Sequence, residues 1–305
     1  VIDGCPAGVE IDQSLIQKAC DMRAPGKSIY TSPRTEPDKV EILSGVFEGK
    51  STGAPISIMI ENKDCDSSKY EEIKDTLRPG HANFTYFEKY GIFDYKGGGR
   101  ASGRETATRV AAGAIAKKIL EEQGIELFSY IKQIGTIEAI IDTEKLREKI
   151  TKSPLFCPDE HATKEMIDRI DLAKKEGDSL GGIVEFLALG LPSGLGDPVF
   201  EKLGAVLAFA MMGIPATKGF ELGSGFSCVR MKGSEHNDEF ILNENKIETR
   251  TNFAGGTLGG ISTGMPLCGR VAFKPTSSIK KEQQTYTFSK EKTSFTIPEG
   301  SRHDP

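Results

Sequence analysis

The residues best suited to chemistry in this chain lie between Arg78 and Leu120. There His81 follows Arg78-Pro79-Gly80, a run that forces a turn and sets a titratable imidazole close to a fixed cation. A connection rich in tyrosine and glycine leads to Gly97-Gly98-Gly99, and Arg100, Ala101, Ser102 and Arg104 follow directly. Glycines ahead of a helix leave backbone N–H groups free to meet an anion, and the helix dipole favours negative charge there. Arginine adds positive charge in the planar, bidentate form that suits phosphate. This is the composition of a phosphate-handling site with an acid–base group upstream. Two other stretches carry related chemistry. Arg23 and Arg34 flank an Ala-Pro-Gly-Lys-Ser turn. Lys274-Pro275-Thr276-Ser277-Ser278 places a cation beside three hydroxyls, in a turn suited to a phosphate or a ring edge.

Such groups need rigid elements to hold them. Ser102 and Glu105 have the spacing of a capping box, so a helix is expected from Ser102 to near Gly124. Its buried face is Val110, Ala111, Ala114, Ile115 and Ile119. Residues 40–47 and 55–60 read as strands bracketed by Gly45, Gly49 and Gly53. A helix is expected over 163–176 with Met166, Ile167, Ile170 and Leu172 turned inward, and a covered strand over 181–191. Residues 198–212 read as an apolar helix with Pro198 in its first turn. Strands are expected over 216–222 and 270–273, and a polar hairpin or loop over 280–294. The order strand, helix, strand recurs in each half beside a Gly-Gly element, a hint of pseudo-duplication. No Pro/Ser-rich linker divides the chain, which points to one α+β domain over 1–305.

A net charge of −5 argues against general nucleic-acid binding, which needs a basic face to displace counterions. The six cysteines are widely scattered without a C-x-x-C pair. Neither a disulfide framework nor a zinc site has that spacing, so reduced thiols in a cytoplasmic, metal-free protein are expected. No run approaches the roughly 18 apolar residues of a membrane span. The chain opens at Val1 without Met and stops at Pro305 inside a motif, so further sequence is expected beyond both ends. Gly45-Val-Phe-Glu-Gly-Lys-Ser51 has one residue too few between its glycines for a nucleotide loop, and no long apolar helix follows. His161 and His236 lie in polar surroundings and read as surface residues.

Gly99-x-x-Ser102-Gly103-Arg104-x-Thr106, followed by Val110 and Gly113-Ala114-Ile115, resembles a signature of the chorismate synthase family. RPGHA at 78–82 is similar to that family's histidine segment. DGCPAG (3–8), EILSGVFEG (41–49), KKEGDSLGG (174–182), AGGTLGGIS (254–262), KPTSSI (274–279) and RHDP (302–305) extend the resemblance in order along nearly the whole chain. The resemblance implies helices sandwiched between two antiparallel sheets, and a homotetramer. It implies anti-1,4-elimination of phosphate from 5-enolpyruvylshikimate-3-phosphate, with reduced FMN required and no net redox change. His81 matches a proton donor to the reduced flavin or a nearby group, and Asp304 a group assisting proton removal. Arg100, Ala101, Ser102, Pro215, Ala216, Gly259, Lys274, Pro275, Thr276, Ser277, Ser278 and Arg302 match flavin contacts, and Arg23, Arg34 and Arg104 fall to the substrate.

The pattern departs from the family in three places. Met22, Ala24 and Ile29 stand where arginine is frequent, with Lys27 as a partial substitute, and Pro215 replaces a polar residue. The family's Gly-Glu-Ser-His-Gly motif, whose histidine protonates the leaving phosphate, belongs before Val1. Two alternatives differ in class: a bifunctional form with NAD(P)H-dependent flavin reductase activity, and a non-catalytic protein that binds FMN or phosphate.

Overall fold

The computed structural model describes residues 1–298 apart from Pro33, Cys65, Gly97 and Gly98. It mixes helices and antiparallel sheets and divides into two compact units. The first comprises Val1–Ile119, Ile170–Ser179 and Thr276–Pro305, the second Leu120–Arg169 and Leu180–Pro275.

In the first unit the helix Gln13–Arg23 buries Ile16 and Cys20 against Val40 and Ile56, all at 0% exposure, and Ala111, Ala114 and Ile115 join that core. Val40–Ile42 pairs antiparallel with Ile58–Ile60. The strand expected over 40–47 breaks at Gly45, where φ is 79° and a Cβ would stand 2.6 Å from the Pro55 carbonyl oxygen. Val46–Phe47 instead turns back on Lys50–Ser51 through Glu48 and Gly49, both at positive φ. The nucleotide-like run is therefore a tight hairpin. Residues 280–294 give the expected hairpin, Gln283–Tyr286 against Lys292–Phe295.

The helix that carries the glycine-led segment is Thr106–Glu122, with Gly124 beyond it at φ 76°. Its entry is a 3-10 turn, Gly103–Glu105, capped by the Ser102 hydroxyl, which accepts the Arg104 N–H at 3.3 Å. Glu105 turns to Arg109 one helical turn on (2.8 Å). A guanidinium in that position is a stronger partner than the N-cap amide.

The second unit is built on a five-stranded antiparallel sheet in the order Ile137–Glu138, Glu126–Ile134, Gly182–Leu189, Leu267–Phe273, Thr217–Leu222. Tyr130, Glu185, Arg270 and Glu221 form one row across it. The Tyr130 hydroxyl donates to Glu185 at 2.5 Å, and Arg270 pairs with Glu221 at 2.7 Å. Leu146 and Ile150 of the helix Leu146–Lys152 pack against Tyr130.

Two further helices differ from expectation. Glu160–Lys175 starts three residues early because Asp159 accepts the N–H groups of His161 and Ala162 and caps it. Met166 is fully buried, but Leu172 is 43% exposed, and Ala162, Thr163 and Ala173 complete the buried stripe. The apolar helix is Leu203–Met212, without Pro198. Val199 at φ 70° and the Asp197 N–H bond to the Glu201 carbonyl keep the preceding residues in a turn.

Ile115→Ala, at 1% exposure, is expected to lower unfolding free energy by about 2–5 kcal/mol. Ile140→Ala, at 83% exposure, should stay within about 0.5 kcal/mol. Urea denaturation of the two variants checks the placement of this core.

Candidate active site

In the first unit, Arg23, Arg34 and Arg104 come from three separate stretches and meet on two carboxylates. Asp38 and Glu36 both have side chains at 0% exposure. Asp38 takes Arg23 NH1 at 3.2 Å on one oxygen and Arg104 NH1, in a very short contact, on the other. Glu36 takes Arg34 NH2 at 2.7 Å and lies 3.8 Å from Arg104 NH2. Arg23 also donates to the Thr106 hydroxyl, and to the Gly103 carbonyl at the helix entrance. The guanidiniums stay partly open to solvent, with side-chain exposures of 22% for Arg23, 22% for Arg34 and 16% for Arg104. Buried acids that fix partly exposed arginines are an arrangement suited to an anion, because the N–H groups are already ordered. Arg100 sits on the exposed turn Gly99–Ala101 just before Ser102.

The same unit holds the histidine turn. The His81 N–H donates to the Arg78 carbonyl, closing the turn that Pro79-Gly80 demands. His81 Nδ1 accepts the Asn83 N–H at 3.1 Å, which leaves the neutral ring's proton on Nε2 and makes that nitrogen the donor. Phe93 meets the ring edge-on at 6.1 Å. Asn83, 2% exposed, secures the turn by accepting the Arg78 N–H and donating to the Thr76 carbonyl. Arg78 is itself 9% exposed, donates to the Ser278 hydroxyl at 2.6 Å, and leaves Nε without a partner. Burial lowers its pKa from the usual arginine value. No carboxylate pairs with it among the described residues. A buried guanidinium in that state favours an incoming anion. Thr276 joins through its carbonyl, which accepts the Ser179 hydroxyl.

The second unit carries the remaining candidates. The Lys274 N–H donates to the Ala216 carbonyl at 3.0 Å, joining Pro215-Ala216 to Lys274-Pro275. Burial, then the charge of Lys218, lowers the Lys274 pKa, and two neighbouring cations again suit an anion. Gly259 lies in the tight turn between Thr257–Leu258 and Ile261–Ser262. A separate cleft of about 1470 Å³ covers the row Tyr130, Glu185 and Arg270 and contains none of the nominated residues. His236 is not a bare surface residue: it bonds the Ser224 hydroxyl at 3.0 Å and stacks on Phe253. His161 is exposed. Burial pushes the Cys268 thiol up to about 11, which makes it a poor nucleophile. Arg302 and Asp304 lie outside the described residues.

Comparison with known proteins decides which anion chemistry is involved. The family model described as chorismate synthase matches residues 1–305. The chain belongs to the chorismate synthase family. It is 54% identical to the chorismate synthase of Protochlamydia amoebophila over 312 residues, covering 100% of this chain and 85% of that protein. It is 51% identical to that of Methanococcoides burtonii over 306 residues, with 100% and 83% covered. A crystal structure of a chorismate synthase superposes with a TM-score of 0.74 at 36% identity, over 90% of this chain and 79% of that one. The activity is the family's: a carbon–oxygen lyase reaction that eliminates phosphate from 5-enolpyruvylshikimate-3-phosphate to give chorismate, the last common step of the shikimate pathway.

Sequence reasoning missed Glu36, Asp38 and Asn83. The signal for the two acids is present in Arg34-Thr-Glu-Pro-Asp38, where carboxylates two apart sit inside an arginine-bearing stretch. Asn83→Ala removes both side-chain bonds of the histidine turn. It is expected to cost about 1–3 kcal/mol for each partner left unsatisfied, measured by urea unfolding.

Proposed function

We propose that the protein carries out this elimination with reduced FMN. The supporting observation is the convergence of Arg23, Arg34 and Arg104 on Asp38 and Glu36. Those arginines take the substrate's anionic groups and stabilise charge as phosphate departs. The residues fit the flavin as well. The unpartnered Nε of buried Arg78 beside Ser278, and the depressed Lys274 beside Lys218, each suit an anionic cofactor. The residues that would hold it are those the resemblance implies: Arg100, Ala101, Ser102, Pro215, Ala216, Gly259, Lys274, Pro275, Thr276, Ser277, Ser278 and Arg302. When bound, reduced flavin supplies electron density to a substrate whose C–H bond is not acidic.

The side chains have separate tasks. His81 presents a proton from Nε2, held in place by the Asn83 amide. Asp304 assists proton removal. Ser102 caps the helix entrance and so sets the direction of Arg104. The finer architecture, helices layered between two antiparallel sheets with pseudo-duplicated halves in one domain, belongs to the same proposal, as does a cytoplasmic location.

Self-association into a homotetramer is also proposed. The helix Leu203–Met212 is apolar throughout and buries none of its residues, with Phe209 86% exposed and Val206 50%. Apolar surface of that kind marks a contact with another chain. Light scattering should return four times the chain mass, and Phe209→Asp should lower it; a monomeric wild type refutes this part.

Anaerobic phosphate release from 5-enolpyruvylshikimate-3-phosphate tests the reaction. It should require FMN reduced chemically by dithionite, and NADPH should not substitute. Release with NADPH alone would establish a built-in reductase, and no release despite flavin binding would establish a binding protein. His81→Ala should keep FMN affinity and lower turnover at least about 100-fold, the scale of a lost proton-transfer group. Unchanged turnover would remove His81 from the mechanism.

A further inference from the structure

We infer that Glu36 and Asp38 are positioning residues for the substrate-binding arginines, an inference that rests on the proposed substrate role of Arg23, Arg34 and Arg104. Their carboxylates see no solvent and touch no open surface, so they act only through what they hold. Arg104 bridges the pair, its NH1 on Asp38 and its NH2 3.8 Å from Glu36. Arg23 completes Asp38, and Arg34 completes Glu36. The backbone amides of Asp64 and Lys63 fill the remaining lone pairs of Glu36 at 3.1 and 3.3 Å.

The segment carrying these acids is itself fixed from outside. Gln17 of the first helix donates to the carbonyls of Pro37 and Asp38 and accepts the Val40 N–H at 2.9 Å. Asp38 sits at φ 42°, a left-handed conformation that aspartate tolerates better than most residues and that persists only where its surroundings enforce it. Glu36 and Asp38 are separated by Pro37, which narrows the backbone further.

Charge and geometry make opposite forecasts for removing one of these acids. Three guanidiniums over two carboxylates carry one net positive charge. Neutralising Asp38 raises the net positive charge, so charge alone tightens the hold on an anionic substrate. If Asp38 serves to aim Arg23 and Arg104, its loss lets like charges spread and weakens that hold. The sign of the change therefore separates the two roles.

The experiment measures equilibrium binding of 5-enolpyruvylshikimate-3-phosphate, with KM and kcat, for the full chain with FMN. The variants are Asp38→Asn, Arg104→Gln and the double substitution. Asp38→Asn should weaken binding and raise KM at least about tenfold, as expected when binding groups are misplaced, and should lower kcat as well, because the same arginines stabilise charge as phosphate departs. FMN affinity should not change. In the Arg104→Gln background the same substitution should cost less than half as much, because its effect runs through that arginine. Tighter or unchanged substrate binding, or strictly additive effects, overturns the inference. Should Asp38→Asn fail to fold, Glu36→Gln carries the same test through Arg34, with the same outcomes deciding. A wild type that binds substrate without releasing phosphate refutes the proposed reaction separately, since the binding measurement still reads the positioning. A wild type that does not bind substrate refutes both.

Discussion

Two carboxylates without access to water, paired to three partly exposed arginines, are the interaction on which the first unit is arranged. A buried carboxylate is costly unless it is paired and hydrogen-bonded, and here each one is shared. Asp38 serves Arg23 and Arg104, while Glu36 serves Arg34 and two backbone amides. That demand links elements far apart in sequence: the end of the first helix, the irregular stretch around Pro37, and the 3-10 turn that opens the helix Thr106–Glu122. The apolar core of Ile16, Val40, Ile56 and Ile115 holds these elements in register. The pairing and the core reinforce one another, and the outcome is a row of arginine N–H groups pointed before any ligand arrives.

The histidine turn shows the same economy on a smaller scale. Pro79 and Gly80 bend the chain, Asn83 closes it, and His81 Nδ1 accepts the Asn83 backbone N–H. The neighbouring Arg78 pairs with no carboxylate among the described residues and is anchored on Ser278, so a cationic group and a hydroxyl stand together. In both clusters positive charge is incompletely matched, which suits the anion docking proposed for them.

Much of this was legible in the chain. The spacing of Ser102 and Glu105 located the helix entrance to within a few residues because a hydroxyl cap is a local device. Arg23, Arg34 and Arg104 stood out by type and setting, although their convergence on Asp38 and Glu36 was not legible. The acids beneath them were missed because sequence shows a charge but not its burial, and Glu36 and Asp38 look like solvated loop residues until the fold closes over them. The helix Leu203–Met212 was drawn too long, since apolar periodicity does not register a residue such as Val199 in a left-handed conformation. Leu172 was assigned inward on periodicity alone, and the neighbouring Ala173 took the place instead.

A crystal structure with 5-enolpyruvylshikimate-3-phosphate and FMN bound is the most direct measurement. Oxygens of the substrate's phosphate or carboxylates should lie within about 3.2 Å of guanidinium nitrogens of Arg23, Arg34 and Arg104. Those same side chains should keep their contacts to Asp38 and Glu36. Substrate seated away from this cluster, or arginines that leave the two acids to reach it, would contradict a receptor arranged in advance.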